Sequence, residues 1–147
     1  MLTLILPFPP SFNNYWLRTR RGGVRLSDRG VAFRQAVRLI VLRHRSRDRF
    51  PLLGDVTMTI ELHQPRRGKY DWDNFAKATS DALTHAGVYL DDSQVRLGAV
   101  EVCAPLAGGA IVVGLDTVSG ERRGWDPGIP LPEWCVGKKL AKARKRK

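Results

Sequence analysis

The chain has 147 residues, the size of one domain that can bury a hydrophobic core. Its 25 Lys and Arg residues against 14 Asp and Glu residues give a net charge of +11, which favours a polyanionic partner and above all nucleic acid. No apolar run approaches the roughly 18 to 20 residues of a membrane-spanning helix, and the start lacks a basic leader, so we expect a cytoplasmic protein without a membrane partner.

The N-terminal segment is predicted to be a strand followed by a stiff loop. Residues 2–6 are apolar and end at Pro7, which is typical of a buried strand. Closely spaced prolines lead us to expect no helix over residues 7–16, because proline removes a backbone donor and favours extended neighbours. Beyond this loop, paired glycines at 22 and 23 lie among arginines and predict a basic hairpin or flap: Arg18, Arg20, Arg21 and Arg25.

The aromatic side chains of this loop have two interpretations. Next to arginines, they offer stacking surfaces and phosphate contacts to an opened or branched nucleic acid. Alternatively, Phe8, Phe12 and Trp16 pack the loop against the core. The pattern is compatible with both interpretations.

A first long helix is predicted from Ser27, a typical N-cap residue, to about residue 45. Apolar and aromatic residues recur at helical spacing on its core-facing side: Val31, Phe33, Val37, Ile40, Val41 and His44. Arg34, Arg38 and Arg45 share another side, which we expect to be solvated.

A strand and a second helix follow. Residues 55–62 alternate between polar and apolar, the pattern of a strand with one buried face. A basic loop over residues 64–70 leads to a helix predicted over residues 73–86, with Gly87 as its terminating residue. Its core-facing stripe contains small and apolar residues: Phe75, Ala78, Thr79, Ala82, Leu83 and Ala86. The opposite side gathers carboxylate, amide and ammonium groups: Asp73, Asn74, Lys77 and Asp81.

The remaining elements predict an α/β (α+β) fold. A short extended run over residues 88–90 precedes a strand over residues 95–102, with a slip near Gly98 that indicates a bulge. Residues 109–115 are predicted to form a further buried strand. Together these elements predict a small mixed β-sheet packed by two main helices.

The chain divides into two segments of different composition. Residues 1–116 are predicted to form the folded domain. Glycines and prolines punctuate residues 117–147, which we interpret as an extension. This extension ends in a basic tail, residues 138–147, of which seven are basic.

Cysteine and histidine indicate neither a disulfide nor a zinc site. Cys103 and Cys135 are expected to be free thiols in a reducing compartment, with Cys103 buried in the core at the end of a strand. His44, His63 and His85 show no ligand spacing, so no zinc site is predicted.

The strongest functional signal is a cluster of acidic residues inside a basic chain. Five of the 14 acids fall within residues 71–92: Asp71, Asp73, Asp81, Asp91 and Asp92. Clustered carboxylates repel each other unless a cation compensates, and Mg²⁺ prefers a few carboxylate oxygens together with water and phosphate oxygens. We therefore predict a Mg²⁺ site, with Mn²⁺ as an alternative ion. Its predicted ligands are Asp71, Asp73 and Asp92, with Asp91 as a supporting or alternative ligand.

The spacing of these acids leaves one geometric question. Asp71 and Asp73 point the same way, because side chains at i and i+2 of an extended segment share one face. A helix over residues 73–86 is about 20 Å long, and residues 87–92 return about 17 Å. Asp92 therefore completes the site either within its own chain or in a partner subunit.

Lys77 also has two interpretations. One turn into the helix, its ammonium group could neutralise charge that develops on a phosphoryl group during cleavage. Alternatively, it forms an ordinary helical ion pair with Asp73 or Asp81. Asp81 itself is expected to be structural.

Four blocks of sequence occur in an order that resembles one family of enzymes. They are Pro7-Phe8-Pro9-Pro10-Ser11-Phe12-Asn13-Asn14, Asp71-x-Asp73-Asn74-x-x-Lys77, Asp81-Ala82-Leu83-Thr84-x-Ala86-Gly87 and Leu90-Asp91-Asp92-x-Gln94-Val95. Over about residues 2–116, the chain resembles the RusA family of Holliday junction resolvases. The resemblance implies a small, homodimeric, Mg²⁺-dependent α/β endodeoxyribonuclease of bacterial or phage origin. It implies paired symmetric cleavage of four-way DNA junctions in recombination and repair, without a small-molecule cofactor.

The resemblance also implies roles for individual residues. Asp71, Asp73 and Asp92 fall on the family's catalytic metal-binding aspartates, Lys77 on its catalytic lysine and Asp91 on the neighbouring acid. Amide and basic residues of the loops are the candidates for DNA binding: Asn13, Asn14, Arg18, Arg20, Arg21, Arg66, Arg67 and Lys69. The extra Phe12 before the two asparagines and the longer C-terminal extension depart from the family pattern, which puts the junction contacts and sequence preference in question.

Two other functions are compatible with these residues. A non-catalytic DNA-binding protein of the same fold would keep the acids for structure, although carboxylates that face phosphate do not help a pure binder. A metal-dependent nuclease could instead act on flaps, replication forks or RNA. The sequence does not separate these substrates from four-way junctions.

Overall fold

The computed structural model describes residues 1–44 and 49–120. Six strands and three α-helices lie within these ranges. The strands are β1 (Leu2–Pro7), β2 (Trp16–Arg18), β3 (Val24–Leu26), β4 (Asp55–His63), β5 (Val95–Val102) and β6 (Ala110–Val118). The helices are α1 (Phe12–Tyr15), α2 (Asp28–Arg43) and α3 (Trp72–His85). A 3-10 turn, Asp92–Gln94, precedes β5.

Four strands form one mixed sheet in the order β1, β6, β4, β5. β6 runs antiparallel to β1 and β4, whereas β4 and β5 are parallel, with Leu62 opposite Val102. A parallel pair needs a crossover connection, and α3 lies in the connection between β4 and β5. β2 and β3 pair separately as the predicted hairpin. The predicted mixed sheet with two main helices is confirmed.

Alternate residues of the strands form the hydrophobic core. Leu4, Val113 and Ile60 are paired across β1, β6 and β4, and each is at most 2% exposed. Ile5, on the opposite face of the sheet, is 68% exposed. The two long helices add their apolar side chains to the same cluster: Phe33, Val37, Val41, Phe75, Ala78, Ala82 and Leu83. Burying one face of the sheet beneath two helices is the main stabilising feature of the fold.

α2 begins where the sequence predicts. Ser27 Oγ accepts a hydrogen bond from Gly30 N at 3.0 Å, which satisfies one of the free amides of the first turn. The predicted stripe is wrong at Val31, which is 40% exposed. Gly30 takes the buried position instead, because it approaches Tyr15 so closely that an added Cβ would lie 2.8 Å from the Tyr15 carbonyl oxygen.

The expectation of no helix over residues 7–16 is wrong at its end, where α1 forms one turn. Pro9 and Pro10 precede Ser11, so neither ring interrupts the turn. Asn14 closes it, since its backbone N–H donates to Ser11 O at 2.8 Å and its side-chain amide donates to Ser11 Oγ at 3.0 Å.

The irregularity in β5 lies earlier than predicted. Val56 pairs with Val95 and Thr57 with Leu97, so Arg96 is the extra residue rather than Gly98. β6 continues to Val118, which pairs with Asp55.

Residues 45–48 and 121–147 lie outside the described ranges. Most of the predicted C-terminal extension, its basic tail and Cys135 are among them, and these assignments stay predictions. Among the described residues, no helix combines the length and apolar character needed to cross a membrane.

Candidate active site

The acidic motif lies where the loop after β4 becomes α3. Asp71 occupies the N-cap position with extended backbone angles, but its side chain makes no capping hydrogen bond. Asp73 lies in the first turn, and both aspartates are exposed. Within the described residues, neither carboxylate has a hydrogen bond or ion pair. Both therefore remain available to a cation or a ligand.

Lys77 lies one turn further along the same helix and is exposed. Its Nζ is 5.4 Å from the centroid of the Phe12 ring, a cation–π contact that joins α3 to α1. No ion pair of Lys77 occurs in the part of the chain that the structure describes. Asp81, one of its two expected partners, is paired with Arg34 instead. The geometry thus favours a lysine free to meet an incoming anion.

Arg34, Tyr15 and Asp81 form a partly buried polar network between the three helices. Arg34 donates to Tyr15 Oη at 2.7 Å and to Asp81 Oδ2 at 2.6 Å, and Tyr15 Oη donates to the same carboxylate oxygen at 2.7 Å. The expectation that Arg34 is solvated is wrong, because only 17% of its side chain is exposed. The structural role expected for Asp81 agrees with this geometry.

The network also changes the proton affinities of its members. Burial and the hydrogen bond to Asp81 raise the pKa of Tyr15 far above its usual value. Burial acts to lower the pKa of Arg34, but the bonds to Asp81 and Tyr15 outweigh it, so the pKa is raised. Tyr15 is therefore neutral and Arg34 charged at any physiological pH.

The second acidic pair lies at the 3-10 turn before β5. Asp91 is its N-cap, and its side chain accepts a hydrogen bond from Ser93 N at 2.9 Å. Hydrogen bonding by the Ser93 side chain and then by its backbone lowers the pKa of the Asp91 carboxyl group. Asp92 is exposed and has no such partner among the described residues. The Asp91 side chain is thus used as the cap of the turn, whereas the Asp92 side chain remains exposed to solvent.

Gln94 holds this turn in place, a role that the sequence analysis missed. Its side-chain oxygen accepts from Leu90 N at 2.7 Å and Asp91 N at 3.1 Å. Its side-chain amide donates to Leu52 O at 3.0 Å and Gly54 O at 2.7 Å, in the segment that leads into β4. A glutamine three residues after an Asp N-cap is the sequence signal of a capping box, and it could have been recognised.

Tyr89 joins the segment just before Asp92 to α3. Its buried hydroxyl lies 3.0 Å from both Ser80 Oγ and Ser80 O. Burial raises the pKa of Tyr89, and the nearby charges of Asp92 and Asp81 raise it further. Ser80 and Asp73 are seven residues apart, about 10 Å along a helix axis. Tyr89 therefore fixes the segment just before Asp92 to the middle of α3, whereas Asp71 and Asp73 are at the start of that helix.

The aspartates are not drawn together as a tight cluster in the described part of this single chain. Among the described residues, the ligand atoms of Glu61, His63 and Cys103 lie within 4.8 Å of one another. No three of the four predicted aspartates form such a group there. Magnesium keeps several waters and bridges to phosphate, so its protein ligands need not touch one another before substrate binds. Asp71, Asp73, Asp91 and Asp92 as metal ligands therefore remain a prediction.

A cavity of about 740 Å³ opens beside the start of α3. Its polar lining comes from three segments that are distant in sequence: Asn13 and Asn14 from α1, Arg29 from α2, and Lys69, Asp71 and Asn74 around the start of α3. Phe8, Phe33 and Phe75 supply apolar lining. A carboxylate thus lies next to cations and amides in one concave surface. Arg29 was not predicted, since one arginine in the first turn of a helix carries no distinctive sequence signal.

The predicted DNA-binding residues separate into two groups. Asn13, Asn14 and Lys69 line the cavity. The arginines of the β2–β3 hairpin and of the loop after β4 are exposed but do not contribute to that lining: Arg18, Arg20, Arg21, Arg66 and Arg67. Their positions suit contacts with a ligand larger than the cavity, such as a nucleic-acid backbone.

The aromatic residues mostly pack on the core. Phe8 lies 5.0 Å from Phe75 and 6.2 Å from Tyr70, measured between ring centroids. These packed rings form part of the cavity wall. Trp16 packs edge-on against Tyr15 at 5.7 Å. Trp72 is 54% exposed and is the aromatic residue of the acidic motif that an approaching ligand can contact.

Cys103 differs from its prediction. The residue follows β5 and is half-buried rather than in the core, because it lies on the sheet face opposite the two helices. His63 and Glu61 are beside it. No spacing in the sequence reveals this group, since the parallel pairing of β4 and β5 brings together residues 40 positions apart.

Comparisons with a family model and with individual proteins point to the same family. The model of the family Endodeoxyribonuclease RusA matches residues 7–113. The Crossover junction endodeoxyribonuclease RusA of Escherichia coli (strain K12) is 43% identical over 93 residues, which are 63% of this chain and 75% of the relative. The corresponding protein of Shigella sonnei (strain Ss046) gives the same values. The protein of that name in Enterobacteria phage 82 is 44% identical over 92 residues, 63% of this chain and 74% of the relative.

Proposed function

Because the chain belongs to the RusA family of endodeoxyribonucleases, we propose that it resolves four-way DNA junctions by hydrolysing phosphodiester bonds. The proposed catalytic residues are Asp71, Asp73, Asp92 and Lys77. The relatives are named as crossover junction endodeoxyribonucleases, and this chain covers three quarters of their length. They come from bacteria and a phage. We place the activity in the bacterial cytoplasm, where branched DNA forms during recombination and repair.

The observation that carries this proposal is the pair of free, exposed carboxylates at the start of α3. Asp71 stands at an N-cap position without using its side chain as a cap, and it also lines the cationic cavity. Helix capping does not account for Asp71, because its side chain accepts no hydrogen bond from the free backbone amides of the first turn. A free carboxylate in the same cavity as Lys69 and Arg29 instead suits a cation shared with a phosphate.

The donor set fits a hard divalent cation, and we propose Mg²⁺, with Mn²⁺ as a substitute. Asp71, Asp73 and Asp92 offer unpaired carboxylate oxygens, the ligands that Mg²⁺ prefers. Asp91 is committed to the turn, so it supports the site by presenting Asp92. When bound, such an ion polarises the phosphodiester and acidifies a water.

The cationic and amide residues bind and orient the DNA. Lys69 and Arg29 draw a phosphate into the cavity, and Asn13 and Asn14 donate hydrogen bonds there. Lys77, free of any ion pair among the described residues, stabilises the negative charge that grows on the phosphoryl oxygens. The exposed arginines of the hairpin and loop hold the flanking backbone and add no sequence preference.

We also propose that the active form is a homodimer. Four-way junctions need two nicks related by symmetry, and two identical active sites related by a two-fold axis supply them. The separation of Asp92 from the start of α3 is compatible with a site completed in either chain. No small-molecule cofactor is required for this chemistry.

The test is cleavage of a synthetic mobile four-way junction beside linear duplex and flap substrates, with and without Mg²⁺, for the wild type and Asp73→Asn. We expect paired symmetric nicks in the junction that require both Mg²⁺ and Asp73. Binding of the junction by Asp73→Asn should be kept or improved, because a carboxylate that repels phosphate is removed. Asp28→Asn is the matched control, since Asp28 is an exposed acid in the first turn of α2.

Other outcomes would identify the alternatives. Tight junction binding without cutting under any condition would indicate a DNA-binding protein in which the acids are structural. Equal cutting of flaps and junctions would indicate a nuclease of broader substrate range. Loss of binding in Asp73→Asn would assign that residue to folding rather than to chemistry.

A further inference from the structure

A second group of potential metal ligands lies on the face of the sheet opposite the helices. Glu61 and His63 are at the end of β4, and Cys103 immediately follows β5. The parallel ladder continues to this point, because Cys103 N donates to Leu62 O at 3.0 Å. One ligand atom from each of the three residues lies within 4.8 Å of the other two. The group is therefore held by the sheet itself rather than by mobile loops.

The hydrogen bonding of His63 prepares it to bind a metal. Its Nδ1 lies 3.0 Å from the Ala104 carbonyl oxygen. A carbonyl oxygen can only accept, so Nδ1 carries the hydrogen and the neutral ring keeps a free electron pair on Nε2. Metal-bound histidines usually show this second interaction, which sets both the tautomer and the orientation of the ring.

The separation of two of the donors is close to that around a small four-coordinate ion. His63 Nε2 lies 3.9 Å from Glu61 Oε2. A nitrogen and an oxygen bound to zinc at about 2.0 to 2.2 Å with tetrahedral angles are about 3.3 to 3.5 Å apart. The observed separation needs a shift of only a few tenths of an ångström, and the exposed Glu61 side chain can make it.

The donor types select the ion. A thiolate and an imidazole are softer ligands than the oxygens that Mg²⁺ and Ca²⁺ prefer, whereas one sulfur, one nitrogen and one carboxylate suit Zn²⁺. Glu101 lies opposite Glu61 in the ladder and adds negative charge nearby. We propose that Glu61, His63 and Cys103 bind Zn²⁺ at a site separate from the catalytic aspartates, with the fourth position open to water.

Such an ion would join the ends of two strands. β5 is the edge strand of the sheet, and its pairing with β4 is the only ladder that it makes among the described strands. The loop that delivers Asp71 begins directly after His63. Zinc at this site would stabilise the β4–β5 pair and restrain the start of that loop.

The test uses Co²⁺ as a spectroscopic probe and Zn²⁺ as a competitor on the full-length, metal-stripped, reduced protein. We expect one Co²⁺ per chain to give a thiolate-to-cobalt charge-transfer band, and Zn²⁺ should remove this band. Cys103→Ser should abolish the band, while Cys135→Ser, the control for the other cysteine, should leave it intact. His63→Gln and Glu61→Gln should each weaken Zn²⁺ binding at least about tenfold, whereas His85→Gln should not.

Two further measurements separate this site from the catalytic one. Asp73→Asn should bind Zn²⁺ at this site as the wild type does, so failure of the nuclease proposal leaves this inference testable. Zn²⁺ should raise the melting temperature of the wild type and protect Cys103 from alkylation. A cobalt spectrum without a thiolate band, a band that survives Cys103→Ser, or binding that is lost in Asp73→Asn would each overturn the proposal.

Discussion

Lys77 contacts an aromatic ring, and within the described residues it contacts no carboxylate. Because this ammonium group has no ion pair among the described residues, we propose that Lys77 acts on the reaction more than on the fold. We predict that Lys77→Met slows single-turnover cleavage about 10²- to 10³-fold, the usual loss when one stabiliser of developing charge is removed. Junction affinity at the same salt concentration should change far less.

The matched control for Lys77 is Lys69, which lines the cavity. Lys69→Met should weaken junction binding more than it slows the chemical step at saturating protein. If Lys77→Met left the cleavage rate unchanged, or lowered rate and affinity equally, its role in the transition state would be excluded.

Arg34 provides the residue-scale test of stability. Its side chain is 17% exposed and bonded to both Asp81 and Tyr15, so removing it leaves the Asp81 carboxylate without its cation. Hydrogen bonds to charged groups contribute about 1.5 to 3 kcal/mol. We predict that Arg34→Ala lowers the free energy of unfolding by about 2 kcal/mol in urea denaturation.

Arg38 is the matched control, because it lies one turn further along α2 and is exposed. Arg38→Ala should change the free energy of unfolding by no more than about 0.5 kcal/mol, as is usual for surface positions. Equal effects of the two substitutions would show that the network between the helices contributes no net stability.

At the scale of elements, the 3-10 turn before β5 depends on one side chain. Gln94 forms four hydrogen bonds, two within the turn and two to the segment before β4. We predict that Gln94→Ala lowers the cleavage rate at least about tenfold, since small displacements of a catalytic group are costly. DNA affinity should stay unchanged, because Gln94 does not line the cavity.

Two comparisons make the Gln94 experiment specific. Gln35→Ala removes an exposed glutamine from α2 and should have no effect on rate. Gln94→Glu keeps the two acceptor interactions but loses the two donors, so its cleavage rate should lie between those of the wild type and Gln94→Ala. A normal rate in Gln94→Ala would mean that Asp92 needs no such support.

The elements also show what a sequence can predict. α2, α3 and β4 were correctly identified because each buries one side, and the period of apolar residues reports that side directly. The single turn of α1 was missed, because the prolines before it obscured the local hydrogen bonds between Ser11 and Asn14. The bulge was misplaced by two residues, since it depends on how β5 pairs with β4 and not on the flexibility of Gly98.

The candidate site could be proposed from the sequence where its residues are close together in the chain. Asp71, Asp73 and Lys77 fall within two turns of the start of α3, so one motif revealed them. Arg29 and the Glu61, His63 and Cys103 group were missed, because only the packing of distant segments brings them to their neighbours. The free state of the carboxylates is likewise a property of the fold, since it depends on which cations pair elsewhere.

For the whole molecule, net charge is the property that governs binding to DNA. The last ten residues carry seven of the 25 basic residues, and they lie outside the described ranges. Each phosphate contact that is lost reduces the slope of log affinity against log salt by about 0.9. We predict that removal of residues 138–147 weakens binding to every DNA, branched or linear, and lowers that slope by several units.

A variant with an uncharged tail of the same length separates the effect of tail charge on DNA binding from the effect of tail length. Replacing the seven basic residues of 138–147 by glutamine should reproduce the truncation, because counterion release depends on charge alone. The preference for junctions over linear duplex should survive in both variants, since exposed arginines of the hairpin and the cavity residues remain. An unaltered salt slope would mean that the tail does not contact phosphate. A lost junction preference would instead assign structure recognition to the tail and not to the folded domain.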